Sequence, residues 1–549
     1  MGADPLRGEC PAFSGQEKLK GMRVCWFLLP VVIFLLMVTY VFPFAIDDAY
    51  ISLRYAENWA NGYGPVFNPG ERVEGYTNFL LVAIEMLLFK LGLEGLLPVK
   101  IFSILCGIAL LGIVEHFTWK RHRSIFLATC AGLLVGTSSP LAFWAVGGLE
   151  TTLFTLLVTS GILLEVRWLQ GSLPDSAGAA KGLILFMAVL ARPDAAIFVA
   201  VVVVYDFVYS WGRKSWSGFI VFLASFSCPA FIYLAWKFHF YGQIIPLPVY
   251  TKIPSHNLLY TFATGVAKFL SFLAIDLNTI FVLVILYAIF VGLSKGLIRL
   301  RITNLPFFFI ATATCTYALY LMSLGFAVAS DEAYRYYVPL VPLMTVALVL
   351  IWPEGGFFQH RRTVFIGIAL VCAMVGIRVF DLWWLWNKDW NFGLASWCFS
   401  GKEQVDILTH ANIAAGTWLR ANAKPDDTIV LVDAGATPYF SKLRTIDVWS
   451  LTDLELARLK RLVLAANSDA ERSRYVEQMK QYLLSRNPTF ILQDRLQLLR
   501  DPVMQQKYKR VGPGFFSSPR PMFLKNTLNP FVKCKPGPYY RLELWKRVE

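Results

Sequence analysis

Between Val24 and Phe44 the chain reads VCWFLLPVVIFLLMVTYVFPF, without one charged side chain. A helix needs about 20 residues to cross a bilayer. Inside hydrocarbon every backbone N–H and C=O must be satisfied within the segment, so a chain with several such runs is committed to a bundle of spanning helices. Several similar windows follow, 56% of the 549 residues are hydrophobic, and the mean hydropathy is +0.52. That exceeds the apolar share of soluble domains. The first run is too long and too weakly flanked for a cleaved signal peptide, and no small-residue cleavage site follows it, so it is expected to be a retained span. The fold class expected is a polytopic α-helical membrane protein.

The formal net charge is +14. In a soluble chain this would point to nucleic acid, but inner loops of membrane proteins collect Lys and Arg. No zinc spacing, Walker loop or nucleic-acid motif is present, and no nucleic-acid partner is expected. Lys18, Lys20 and Arg23 place residues 1–23 inside, and KRHR (Lys120 to Arg123) is the next inner cluster. A return span at 97–118 leaves residues 45–96 as an outer loop. Within it TNFLLVAIEMLLFKLG is short and carries Glu85 and Lys90, which fits an interfacial or re-entrant helix. Further spans are expected near 124–142, 149–166, 182–192, 194–210, 217–237, 271–293, 305–326, 336–352 and 364–386. The turns with Arg167/Lys181, Arg213/Lys214, Lys295/Arg299/Arg301 and Arg361/Arg362 then fall inside, giving about 11 spans over residues 24–386 and an outer C-terminus. Arg192-Pro193 would break a helix, so 182–210 is read as two short pieces.

Residues 387–549 turn to a mixed, charged composition in which helix-like and strand-like segments alternate, as in a small α/β domain. This domain is expected on the periplasmic or extracytoplasmic side of a bacterial inner membrane. DAGATPY follows a strand but lacks the dinucleotide glycine pattern, so no cofactor is expected there. Cys25, Cys106, Cys130, Cys228, Cys315 and Cys372 sit in apolar runs and read as inert core residues. Cys398 and Cys534 could form a disulfide if their segment lies outside the cytoplasm.

Ionisable residues at membrane helices are costly and by default mark function. Asp47 and Asp48 end the first run in FAIDDAYISLRY, and NPGERVEGYTNF (Asn68 to Phe79) adds Glu71, Arg72 and Glu74. Arg192 and Asp194 stand at the helix break, Lys252 closes YGQIIPLPVYTK, and Asp331 and Arg335 lie in SDEAYRYYVPLVP. Under this topology all share the outer face, where acids and bases together suit chemistry on a lipid-borne anion. Each has a plainer reading. The acid pair can be a solvated helix stop, Arg192 a paired or snorkelling charge, Lys252 and Arg335 interface anchors, and Glu74 a strut to Arg72. Their order and common side carry the weight.

The stretch IDDAYISLRYAENWANGYGPVFNPGERVEGYTNFL resembles the first outer loop of GT-C glycosyltransferases, in particular the group that includes the mycobacterial terminal arabinofuranosyltransferase. LARPDA, FYGQIIPLPVYTK and YRYYVPLVPL are similar to later blocks of that group, and DAGATPYFSKLRTIDVWSLTD to its C-terminal domain. One departure is Leu247, where many relatives carry Asn. The resemblance implies a polyprenyl-phosphate sugar donor, a hydroxyl acceptor such as a cell-envelope glycan or glycolipid on the outer face, and no nucleotide sugar. In these blocks Arg54, Glu74, Tyr76, Asn78, Asp194, Tyr241 and Asp331 are read as substrate-binding.

A sugar on a lipid phosphate needs that phosphate stabilised as it leaves, which preorganised cations do well in a dry site. Arg192 is the first candidate, since a guanidinium matches phosphate oxygens bidentately, with Lys252 and Arg335 next. The acceptor hydroxyl needs a general base, for which Asp47 is expected, with Asp48 positioning the acceptor or tuning its neighbour. The reaction is expected to be a single inverting displacement. No cofactor is required, and a divalent metal at the acid pair stays open, with no third ligand evident by spacing. The runner-up is a transporter or flippase of a lipid-linked sugar. It would place charges near the midplane in paired repeats, whereas here they stand at the rim and no repeat is visible.

Overall fold

The computed structural model describes residues 15–251, 258–275, 305–325, 332–352, 372–373, 375–380, 382–383, 401–492, 502–516 and 541–548. The chain starts with α1 (Gly15–Val41), and the loop after it holds α2 (Ala49–Ala60) and α3 (Phe79–Lys90). Next come α4 (Leu96–His122), α5 (Ile125–Gly136), α6 (Ser139–Val146), α7 (Thr151–Leu169), α8 (Ala177–Ala191), α9 (Ala195–Arg213) and α10 (Ser217–Tyr241). A short α11 (Leu247–Thr251) and α12 (Leu258–Ile275) follow, then α13 (Leu305–Leu324), a 3-10 turn (Glu332–Tyr337) and α14 (Leu340–Ile351). Among the described residues six helices are long and apolar enough to cross a membrane, or seven if the bent pair α5/α6 is one span. The chain is a multi-pass membrane protein.

Local chemistry explains where these helices stop. Arg192-Pro193 does separate two pieces: α8 ends at Ala191 and α9 begins at Ala195. The run expected as one span at 124–142 is instead α5 and α6, bent by 60°. Ser138 accepts from the Leu141 amide, and Pro140 lies in the first turn of α6, so the sequence starts a new helix there. Of the span expected at 271–293, residues 271–275 form the end of α12 (Leu258–Ile275). Its remainder, and most of 364–386, lie outside the described residues. Lys181, expected in an inner turn, is buried within α8 between Glu165 of α7 at 2.5 Å and Asp206 of α9 at 2.6 Å. Cys106 is buried, but Cys228, Cys315 and Cys372 are exposed on their helices rather than in the core. Cys398 and Cys534 are outside the described residues.

The C-terminal part contains α15 (Gly401–Asn422), β1 (Thr428–Leu431), α16 (Ala436–Ser441), β2 (Arg444–Asp447), α17 (Leu454–Ala465), α18 (Asp469–Ser485), β3 (Phe490–Leu492), α19 (Pro502–Lys507), β4 (Tyr508–Phe516) and β5 (Arg541–Arg547). The sheet runs β2-β1-β3-β5-β4. β1 is parallel to β2 and β3, while β5 is antiparallel to β3 and β4. The sheet does not close its own core. Ile429, Leu431, Phe490 and Leu544 pack with Tyr55, Phe67, Tyr76 and Val82 of the loop between α1 and α4. This explains α2, whose residues Ala49 to Ala56 are all buried: a short helix covered on every side lies between two bodies.

Candidate active site

The adjacent acids Asp47 and Asp48 have opposite surroundings. Asp47 is buried, and its Oδ1 accepts from Asn412 Nδ2 at 3.1 Å and the Ala436 amide at 2.9 Å. Its Oδ2 accepts from the Gly435 amide at 3.0 Å. The strand–glycine–helix turn of DAGATPY thus cradles a carboxylate of the chain itself. A side chain on Gly435 would strike the Asp47 backbone oxygen and carboxylate, so only glycine permits the approach. Burial, then the neighbouring Asp433, push the Asp47 carboxyl up to about 7, against the hydrogen bonds it receives. Asp48 is exposed at the start of α2, and its carboxylate accepts no hydrogen bond from the described residues.

One turn along α2 from Asp48, on the same face, Ser52 meets Asn78, whose Nδ2 donates to the Ser52 hydroxyl and to Glu150 Oε2, both at 3.0 Å. Glu150 is 1% exposed. Its Oε1 also accepts from Arg192 Nη1 at 3.0 Å and Arg335 Nη2 at 2.6 Å. Arg192 grips Asp194 through Nε at 3.1 Å and Nη2 at 2.8 Å. Its guanidinium lies 4.4 Å from the Tyr336 ring centre, and Arg335 lies 5.5 Å from that of Trp144. Burial would raise the Glu150 carboxyl, but Arg335 and Arg192 hold it down at about 2. The turn that delivers Glu150 depends on Gly148, at φ +81°, where a side chain would strike Ala49 and Leu96. Three residues expected from the sequence, Asn78, Arg192 and Arg335, therefore converge on one that was not, and a fourth, Asp194, joins through Arg192. Glu150 was legible: the span drawn at 149–166 contains it, and an acid inside such a run is itself a signal.

Other expected site residues serve elsewhere. Arg54, expected at substrate, donates through Nε to the Phe67 carbonyl at 2.8 Å and through Nη2 to the Leu443 carbonyl at 2.7 Å, and it also reaches the Pro438 carbonyl and Asn68. It bolts α2 to the α/β layer. Glu74 pairs with Lys237 of α10 at 2.9 Å, not with Arg72. Burial pushes Glu74 up to about 7, with Lys237 pulling the other way. The Tyr76 and Tyr241 hydroxyls meet at 3.0 Å, and Tyr241 donates to the Pro65 carbonyl at 2.7 Å. Leu247 is buried, packs against Val73 and Ala457, and donates its amide to the Glu74 carbonyl at 3.1 Å. Glu71 ties the loop to Arg444 and to Arg486, the latter at 3.1 Å. Lys252 and Asp331 lie outside the described residues. Glu85 of α3 is buried with neither oxygen bonded among the described residues, and burial raises it well above the usual carboxylate range. Among the described residues no three His, Cys, Asp or Glu side chains are grouped to hold a metal ion.

Comparison with solved structures gives the architecture a precedent. The crystal structure of ArnT from Cupriavidus metallidurans bound to undecaprenyl phosphate matches 96% of this chain and 98% of its own at a TM-score of 0.52 and 11% identity. The apo form matches the same shares at 0.55 and 9% identity. The chain has a GT-C-like fold. In sequence, this GT-C-like chain is 31% identical over 228 residues to the terminal beta-(1->2)-arabinofuranosyltransferase of Mycobacterium tuberculosis. That match takes in 38% of the chain and 34% of the relative, about a third of the relative's length. Residues 402–529 match a family described as Domain of unknown function (DUF8728), which begins in α15 and takes in the Gly435 turn that holds Asp47. The DUF8728 segment thus meets the loop after α1 at Asp47.

Proposed function

We propose that this protein is a membrane glycosyltransferase that moves a sugar from a polyprenyl-phosphate donor to a hydroxyl of a cell-envelope glycan or glycolipid, on the outer face of a bacterial inner membrane. The observation that carries the reading is the pair of guanidiniums, Arg192 and Arg335, gathered on buried Glu150 and linked through Asn78 and Ser52 to the helix face that presents Asp48. The two guanidiniums hold the donor phosphate. The acceptor oxygen bonds to the anomeric carbon as the bond from that carbon to the phosphate oxygen breaks. The electron pair leaves on the phosphate, where the cations stabilise it, and the hydroxyl proton passes to a carboxylate. That carboxylate is Asp48 in this reading, because its oxygens face solvent while those of Asp47 are filled by three donors. Asp47 is the positioning residue. The two roles are thereby exchanged relative to the sequence expectation.

The test is transfer of radiolabelled sugar from a synthetic polyprenyl-phosphate donor, with donor binding measured in parallel. Asp48→Asn should cut turnover about 10²–10⁴-fold, the range for a lost general base, with binding intact. Loss of turnover in Asp47→Asn with the α/β domain still docked, and normal turnover in Asp48→Asn, would return the base to Asp47. Movement of intact donor across liposomes without transfer would favour the transporter.

A further inference from the structure

The end of the bundle remote from the acid pair carries a cavity of its own. A cavity of about 720 Å³ opens between α4, α7 and α8, with Lys120, Arg121, Arg167 and His116 among its lining residues. No carboxylate lines it among the described residues. Arg121 donates weakly to the Leu350 carbonyl at 3.4 Å, while Lys120 and Arg167 form no ion pair with any described residue. The other part of the lining is apolar: Ile113, Phe117, Leu163 and Leu164 continue the cavity along the helices toward the bilayer interior. Gly112 keeps this side open, since nothing lies within 4 Å of where its side chain would start. The cavity is not part of the candidate active site. Leu96, at the other end of α4, packs near the Asp47–Asp48 end of α2, and the helix between spans roughly 40 Å at 1.5 Å per residue.

We propose that this cavity is a binding site for an anionic phospholipid, with its phosphate between Lys120, Arg121 and Arg167 and an acyl chain along Gly112 and Leu164. Two features select a lipid over free phosphate. The cations stand at the end of an apolar channel rather than in a polar cup, and they lie at the terminal turns of α4 and α7, where headgroups sit. Basic pockets between spanning helices at the inner face bind lipid headgroups in this way, and the KRHR cluster marks this end as the inner one. Ser160 and Gln170, also in the lining, offer neutral hydrogen bonds to a headgroup.

The test is native mass spectrometry of the full chain in detergent, offered dioleoyl phosphatidylglycerol, dioleoyl phosphatidylcholine or inorganic phosphate. The glycerol lipid should be retained, the choline lipid should not, and millimolar inorganic phosphate should not displace it. The double variant Lys120→Gln/Arg167→Gln should weaken retention about thirtyfold, from two lost surface cations at about 1 kcal/mol each. Gly112→Trp should do so by filling the channel with every charge kept. A control pair on the same inner side, Arg213→Gln/Lys214→Gln, lies outside the lining and should change nothing. These side chains are exposed, so the variants should keep their thermal midpoint. Equal retention of both lipids, equal loss in the control pair, or unchanged retention in both cavity variants would overturn the proposal. Displacement by inorganic phosphate alone would assign the site to a free anion and overturn the lipid.

Discussion

Arg335 Nη2 lies 2.6 Å from Glu150 Oε1, although 185 positions separate the two residues. Glu150 is an anionic partner of both guanidiniums, so its removal takes a carboxylate from each, and Arg192 retains Asp194. Breaking a buried pair costs about 3–5 kcal/mol. Glu150→Ala should therefore lower the thermal midpoint in detergent clearly. Glu150→Gln should do less, because its amide oxygen can still accept from one guanidinium. A midpoint unchanged in both would show that the cations are held by something else.

The two guanidiniums should not be equivalent. Arg192 is fixed by Asp194 as well as by Glu150 and sits against Tyr336. Arg192→Ala should weaken donor binding by about 2–5 kcal/mol, the loss expected for a buried charged hydrogen bond. Arg192→Lys should recover only part, since an ammonium cannot form the two-pronged contact. Isothermal titration with a short-chain polyprenyl phosphate decides it, and full affinity in the Ala variant removes Arg192 from the donor site.

Stability should depend on pH in an unusual direction. Burial pushes both Asp47 and Asp447 from an ordinary 3.8 up to about 7. Between pH 4 and 7 the folded protein therefore holds protons that the unfolded chain has released. Stability is highest at the acid end of that window and falls as pH rises through it, by up to about 1.4 kcal/mol per unit for each group. The difference in melting temperature between Asp447→Asn and the parent should grow in favour of the variant from pH 5 to pH 7.5. A difference that shrinks over that range would contradict the burial argument.

Gly435→Ala should separate the two halves of the molecule. The added methyl has no room against Asp47, so the α16 turn must withdraw and the Asp47 carboxylate loses its cradle. Limited proteolysis should then cut between the halves at protease doses that spare the parent. Gly212→Ala, where nothing lies within 4 Å of the added methyl, should leave the pattern unchanged. Resistance equal to the parent in Gly435→Ala would mean that the domains are held without this contact.

The helix ends were readable where the cause is local. Arg192-Pro193 separates α8 from α9, and the alternation after residue 400 does build a parallel β1–β2–β3 core. The candidate site was readable as a set of charges but not as a set of roles. Asp47 and Asp48 are neighbours with the same side chain, and what distinguishes them is a turn at Gly435 that periodicity cannot bring near. Arg54 looked like a ligand for the same reason, since the carbonyls it holds belong to Pro438 and Leu443. Lys181 reads as an inner-loop cation in the sequence because its acids, Glu165 and Asp206, sit on other helices. Sequence spacing reports which charges exist, and only the packing decides which are already neutralised.

The contact between Asp47 and Gly435 joins positions 388 apart. At about 5–20 residues per second, roughly 20–80 s of synthesis separate the two. Throughout that interval the loop carries an acid without its cradle, while the spans on either side of it are already being made. The cradle around Asp47 is thus finished only once residue 436 has been made. A chain that stalls or is clipped before β1 has its first spans and both acids, yet lacks the Gly435 and Ala436 amides that hold Asp47. Under the proposed function the C-terminal layer would act as a completion signal, and unfinished copies in the membrane should be silent rather than partly active.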